Sequence, residues 1–332
     1  MGAAMGRWGV AVSGAILLGL LGAGFWWWLQ GGQRAAPLRI ACLHLSPVDQ
    51  ATYNGFRDGL AELGYREGER VVFRYAGAVG DIARLDAVAA ELVADRPDLV
   101  FVSSTPATLA VQRATLESRI PVVFAPVNDP VGAGIVQSLQ HPGGNITGIK
   151  LPAGDDLRLG WLTRIAPRAK RVLAPYNPQD KSALATLANI QPVAPGLGIE
   201  LLARPVTDVR EIDALLADLP ERVQAIFLPR DSTVEGRIAD FVAVARQRRL
   251  PISAPSLTQV EAGALFSYGF VHRQIGRQAA RLAEQVLRGI PPADLPVEVA
   301  ENFLAINMAT AEVIGLSIPD QILLQAEQII RN

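Results

Sequence analysis

Residues Asp98–Val127 read DLVFVSSTPATLAVQRATLESRIPVVFAPV. The two ends, DLVFVSS and PVVFAPV, are short apolar runs rich in valine. Between them PATLAVQRATLE reads as a helix. Two such runs separated by a helical segment of 10–15 residues form a βαβ unit with parallel strands.

Working back towards the N-terminus, the same alternation holds. LRIACLHL (Leu38–Leu45) is a strand and TYNGFRDGLAELGY (Thr52–Tyr65) a helix, with Phe56, Leu60 and Leu63 repeating at three and four residues to define one buried face. RVVFRYA (Arg70–Ala76) is the next strand and ARLDAVAAELVAD (Ala83–Asp95) the next helix.

Working forward, HPGGNITGI (His141–Ile149) interrupts the series with turn chemistry, and the alternation then resumes. RVLAPYN, IELLARPV, AIFLPRD, PISAPS and ALFSYG are strands. KSALATLANIQPVAPGLG, EIDALLADL, VEGRIADFVAVARQR and HRQIGRQAARLAEQVLRG are helical, and the chain closes with FLAINMATAEVIGL and PDQILLQAEQII. The result is two α/β units of similar layout without sequence repetition. A chain of 332 residues accommodates two domains, and with 50% hydrophobic residues each can bury a core.

Composition excludes several classes. A formal net charge of −1 gives no electrostatic reason for a nucleic-acid partner. The single cysteine, Cys42, rules out an intramolecular disulfide and a cysteine-cluster metal site, and its place in RIACLHL marks it as a buried strand residue. The three histidines, His44, His141 and His272, are scattered, with no HExxH. No GxSxG elbow, Walker A loop or GxGxxG occurs. The pattern favours binding over catalysis, with no metal and no cofactor expected.

Trp8–Leu29 (WGVAVSGAILLGLLGAGFWWWL) carries no charge, follows Arg7, and ends in three tryptophans suited to an interface. It predicts a signal or transmembrane helix within residues 1–36, retained as an anchor because Ala35-Ala36 is a poor cleavage site. The rest of the chain then lies outside the cytoplasm. No cysteine lies at the end of the segment to carry a lipid.

In open α/β sheets ligands bind beyond the carboxyl ends of the strands. Here those ends carry Ser46, then Ser103, Ser104 and Thr105 before Pro106, then Asn128 and Asp129, Tyr176 and Asn177, and Arg230 and Asp231. A hydroxyl before a proline-initiated helix is a cap, and the same geometry leaves amide donors facing the crevice for an anion. An acidic side chain there can receive a ligand amine, whereas Asp129-Pro can equally be a turn, and Arg230 and Asp231 can pair with each other.

Taken in order, GFRDGLAELGYREG (Gly55–Gly68), SSTPATLA (Ser103–Ala110), PVNDPVGAGIVQSLQHPGGNITGI (Pro126–Ile149), LPRDSTV (Leu228–Val234), GALFSYGFVHRQIGRQAA (Gly263–Ala280) and INMATAEVIGLSIP (Ile306–Pro319) resemble the ABC transporter substrate-binding proteins of the type I periplasmic binding protein class, the group that includes tryptophan/tyrosine-type binders. The resemblance spans Leu38 to Ile330. It implies two doubly wound parallel-sheet lobes joined by three crossovers, one built from 38–145 plus 265–296 and the other from 146–264 plus 297–332. The ligand would sit between the lobes, contacted by Ser46, Ser104, Thr105, Asn128, Asp129, Asn177, Asp231 and Tyr268. Gly143, Gly144 and Asn145 would form a hinge in the first crossover. The function implied is that of an extracytoplasmic receptor for a small solute, an amino acid or related compound, feeding membrane permease subunits. The anchor motivates a second reading, a tethered sensor signalling through a separate partner.

Overall fold

The computed structural model describes residues 36–331 apart from Glu221. The predicted anchor lies outside these residues. Among those described, no helix is long and apolar enough to cross a membrane.

The first lobe is a six-stranded sheet in which every pairing is parallel. Its strands are β1 (Leu38–His44), β2 (Val71–Ala78), β3 (Leu99–Ser103), β4 (Val122–Val127), β5 (Ile146–Lys150) and β11 (Glu298–Val299), in the order β11-β5-β4-β3-β1-β2. Alternation sorts β1 onto two faces. Ile40 and Cys42 pack under α1 (Gln50–Glu62) and α10 (His272–Leu287). Ala41 and Leu43 pack under α2 (Leu85–Ala94) and α3 (Thr105–Ala114). α1 and α10 approach so closely that a Cβ on Gly55 would collide with the Arg273 carbonyl, and one on Gly276 with the Thr52 carbonyl. Glycine at those two positions lets the N-terminus of α10 reach the carboxyl edge of the sheet.

The second lobe is a seven-stranded sheet in the order β13-β12-β10-β9-β8-β6-β7. It comprises β6 (Arg171–Tyr176), β7 (Glu200–Pro205), β8 (Ala225–Phe227), β9 (Ile252–Ser253), β10 (Phe266–Gly269), β12 (Phe303–Asn307) and β13 (Gln328–Ile330). Only the β10–β12 pairing is antiparallel. One face is covered by α4 (Asp155–Ile165), α5 (Lys181–Ile190), α11 (Met308–Ile314) and α12 (Asp320–Leu323). The other is covered by α6 (Val209–Ala217) and α8 (Ile238–Arg248), with α7 (Ser232–Glu235) and α9 (Leu257–Glu261) as short connecting turns.

The chain passes between sheets three times, at residues 151–154, 270–271 and 300–302. These places differ from the sequence expectation. Ile146–Lys150 pairs with β4, Val122 opposite Ile146, so the chain is still in the first lobe after HPGGN. Phe266–Gly269 belongs to the second sheet and Glu298–Val299 to the first. Gly143, Gly144 and Asn145 therefore sit inside the first lobe. There the Asn145 side chain donates to the Ile120 carbonyl (2.7 Å) and to Thr115 Oγ1 (3.2 Å), and its carbonyl accepts from Val122 N at 2.9 Å. Turn chemistry announced a change of direction but not which sheet the next strand joins, because parallel pairing is decided by partners far along the chain.

Candidate functional site

The carboxyl edges of the two sheets face each other. In the first lobe, β1 runs into a turn capped by Ser46, whose Oγ accepts from Val48 N at 3.3 Å. Asp49 closes the turn by accepting from Ser46 N at 3.3 Å, and it accepts from Ser103 Oγ at 2.7 Å. Burial pushes its carboxyl up to about 6. β3 is followed by Ser104, a non-glycine residue at φ 80° and ψ 151°, whose N–H donates to the Pro126 carbonyl at 3.2 Å. This strained residue delivers the start of α3 to the cleft. The Ser104 Oγ and Thr105 Oγ1 atoms are buried there without a hydrogen-bond partner among the described residues.

His272 opens α10. Its Nδ1 lies 2.8 Å from Thr52 Oγ1, its Nε2 is buried with no partner among the described residues, and burial lowers its pKa to about 4, so the ring is neutral at pH 7. Phe270 meets it edge-on, 4.9 Å between ring centres.

In the second lobe, Arg230 follows β8 and is 3% exposed. Its Nη1 donates to Asn128 Oδ1 and to the Pro152 carbonyl, both at 2.9 Å. Its Nε lies 3.2 Å from Asp155 Oδ1, and its Nη2 has no partner among the described residues. The same Asp155 oxygen accepts from Nη2 of the fully buried Arg158 at 3.2 Å, and Arg158 stacks on Phe227 at 3.9 Å. One carboxylate thus serves two buried guanidiniums. The lobes meet through Asn128, which besides accepting from Arg230 donates Nδ2 to the Ser182 carbonyl at 3.1 Å. Lys181 Nζ donates to the Ala133 carbonyl at 2.9 Å.

Between these groups lies a cavity of about 30 Å³ lined by Asp49, Ser104, Thr105 and Asn128 from one side and Ser182, Arg230 and Glu235 from the other, with His272 and Phe270 beside the crossover. Three of the sequence candidates, Ser104, Thr105 and Asn128, come together here. The others do not. Ser46 supports the turn carrying Asp49. Asp129 is exposed and accepts from Gly132 N at 2.9 Å, closing a turn. Asn177 and Asp231 hold the second lobe together. Asp231 caps α7 by accepting from Thr233 N (2.9 Å) and Val234 N (3.0 Å), and it also accepts from Asn177 N. Burial, then the neighbouring Asp180, push the Asp231 carboxyl up to about 8.

Tyr268 lines a different space, a groove of about 680 Å³ shared with Trp161 and the turn at Pro195–Leu197. That groove is larger, yet none of the side chains lining it carries a buried unpartnered polar atom, so the smaller interlobe cavity is the candidate site. Asp49, Glu235 and His272 were not among the sequence candidates. Asp49 is the fourth residue of a Ser-x-x-Asp cap and Glu235 ends DSTVE, so both read as helix-start chemistry.

Two lobes meeting at a polar cavity are what this geometry describes, and comparison with known proteins agrees. The family model for ABC transporter substrate binding proteins matches residues 42–330. The chain belongs to that family. This substrate-binding protein is 27% identical over 263 residues to a tyrosine-binding protein of Clostridioides difficile, covering 79% of this chain and 76% of the relative. Among solved structures it superposes with TM-score 0.83 on a Streptococcus pneumoniae ABC domain in complex with L-Trp (28% identical, 89% of this chain and 100% of that one). It superposes equally, at 0.83, on a conserved domain protein from Vibrio cholerae (31% identical, the same coverage). The ligand-free, open structure of CD0873, a substrate binding protein from Clostridium difficile, gives 0.63 at 25% identity, covering 89% of this chain and 100% of that one. The family, the tyrosine-binding relative and CD0873 are described as substrate-binding proteins, not enzymes.

Proposed function

We propose that this substrate-binding protein is the extracytoplasmic receptor of an ABC importer and closes its two lobes on a small solute bearing a carboxylate, an amino acid or a close relative. The observation that carries the reading is convergence. Ser104 Oγ, Thr105 Oγ1, Arg230 Nη2 and His272 Nε2 are buried, unpartnered and gathered around one interlobe cavity. Orphaned buried polar groups are rare and costly, each about 1–3 kcal/mol. A carboxylate set against the start of α3 and the free edge of the Arg230 guanidinium would satisfy three of them at once.

The lobe arrangement supports the reading too, since Asn128 bonds across the cleft and the chain superposes better on the L-Trp complex than on the open structure. A cavity of about 30 Å³ holds little more than a water, so a solute enters by separation of the lobes. The closed form would then dock on permease subunits in the membrane.

Thermal shift and calorimetry against the L-amino acids and small carboxylic acids test this. Saturating ligand at 100 times Kd should stabilise the protein by about 2.7 kcal/mol. A panel without a single shift would remove the reading.

A further inference from the structure

We infer that Asp49 and Glu235, one from each lobe, hold a cationic group of the ligand across the cleft, in the place that protons occupy when the lobes close without it. The inference rests on the solute-receptor reading and adds the second pole of the ligand, making it a zwitterion.

The charges around this part of the cavity are out of balance. From the first lobe, Asp49 faces it, beside the neutral His272. From the second lobe come Asp180, Asp231 and Glu235, together with Arg158 and Arg230 around Asp155. Five carboxyl groups therefore stand against two guanidiniums. Two of the five are occupied. Asp180 caps α5 by accepting from Ser182 N (2.8 Å) and also accepts from Ser232 N (3.2 Å), while Asp231 is taken up by three backbone N–H groups. Asp155 is shared by the arginines. Asp49 accepts only from the neutral donors Ser46 N and Ser103 Oγ and has no cationic partner among the described residues, which leaves it and Glu235 without a counter-charge. Both line the cavity, and the Glu235 carboxylate has no hydrogen bond or ion pair among the described residues. Their supports are adjacent, since a Cβ on Gly236 would sit 3.5 Å from Ser46 Oγ in the opposite lobe. The unpartnered Thr105 Oγ1, Arg230 Nη2 and His272 Nε2 mark the same cavity as built for an occupant.

Carboxyls pressed together out of water either take up protons or receive a cation. Burial raises Glu235, with Asp49 the next contributor, and holds Asp49 at about 6 against an ordinary value of 3.8. Groups raised by closure bind protons more tightly in the closed form. Closure without ligand is thus fully favoured below about pH 4 and fades as pH rises through about 6. A ligand ammonium displaces those protons, so its affinity runs the other way, rising with pH by up to about tenfold per unit for each proton released.

The experiment titrates the L-amino acids into the protein at pH 5.5 and 7.5, then repeats the tightest binder as its N-acetyl derivative, in wild type, Asp49→Asn and Glu235→Gln. The expected result is tighter binding at pH 7.5, at least a hundredfold loss on N-acetylation, and a flattened pH slope in both variants. N-acetyl ligand bound within threefold of the free amino acid, with a flat slope in wild type, overturns the inference and leaves the receptor reading standing. No binding by any amino acid removes the amino-acid reading and this inference with it. A ligand-free arm is independent of that choice. Small-angle scattering should show wild type opening between pH 5 and 7.5 and Glu235→Gln staying closed, and a wild type that does not open overturns the inference.

Discussion

Thr105 shows how one residue separates binding from folding. Its hydroxyl is buried at the first position of α3 and has no hydrogen-bond partner among the described residues. Thr105→Val keeps the shape and removes only that hydroxyl, so the protein should be unchanged or more stable by about 1 kcal/mol in denaturant unfolding. A carboxylate ligand would lose a charge-assisted bond worth about 1.5–3 kcal/mol, roughly ten- to a hundredfold in Kd by calorimetry. Stability falling while affinity holds would show the hydroxyl to be structural. Ser104 should behave alike for another reason. Its φ of 80° with ψ 151° lies in a region suited to glycine, and Ser104→Gly should raise stability while weakening binding. These two residues and Asn128 were legible in the sequence because a ligand site at strand ends is a property of the fold class. Asp49, Glu235 and His272 were not, because a carboxylate in a capping position and a histidine opening a helix look alike with or without a ligand to bind. Arg230 stood out in the sequence, but its partner proved to be Asp155 and not the adjacent Asp231.

Among the elements, α4 was the helix the sequence concealed. An amphipathic pattern is read by assuming that the buried face is apolar, and here that face contains Asp155 at 1% exposure and Arg158 at 0%. The strands, by contrast, were legible almost throughout, since a valine-rich run buried on both faces needs no long-range information to be recognised. The buried face of α4 makes an asymmetric prediction. Asp155→Ala strands two guanidiniums, Arg158 and Arg230, without a counter-charge, at a cost of about 3–5 kcal/mol. Arg158→Met fills similar volume and leaves Asp155 and Arg230 as a balanced pair, so it should cost much less. Urea unfolding of the two variants decides, and the reverse order would mean that Asp155 is not the hub of the network.

At the scale of the molecule, ligand response depends on where the chain can bend between lobes. The glycines at 143 and 144 suggested a hinge between the lobes, but the strand after them pairs with β4, so their freedom shapes a turn within the first lobe. On the closure proposed above, bending would fall on residues 151–154, 270–271 and 300–302, where the chain changes sheets. Two of these segments are tied together, since Asn302 Nδ2 donates to the Ala153 carbonyl at 2.9 Å. Gly154 beside that tie has φ 145°, and a Cβ there would stand 2.6 Å from Asn302 Nδ2 and 3.3 Å from a Tyr268 ring carbon. Gly154→Ala therefore forces either the backbone or the tie to give, and at about 1–3 kcal/mol of local strain it should shift the open–closed balance by roughly 5- to 150-fold. Gly144→Val, with open space where its side chain would go, should leave that balance alone. Small-angle scattering of both variants, with and without ligand at saturation, measures the difference. If Gly144→Val blocks ligand-driven compaction while Gly154→Ala compacts like wild type, the crossovers are rigid struts and the motion must be sought in the first lobe itself.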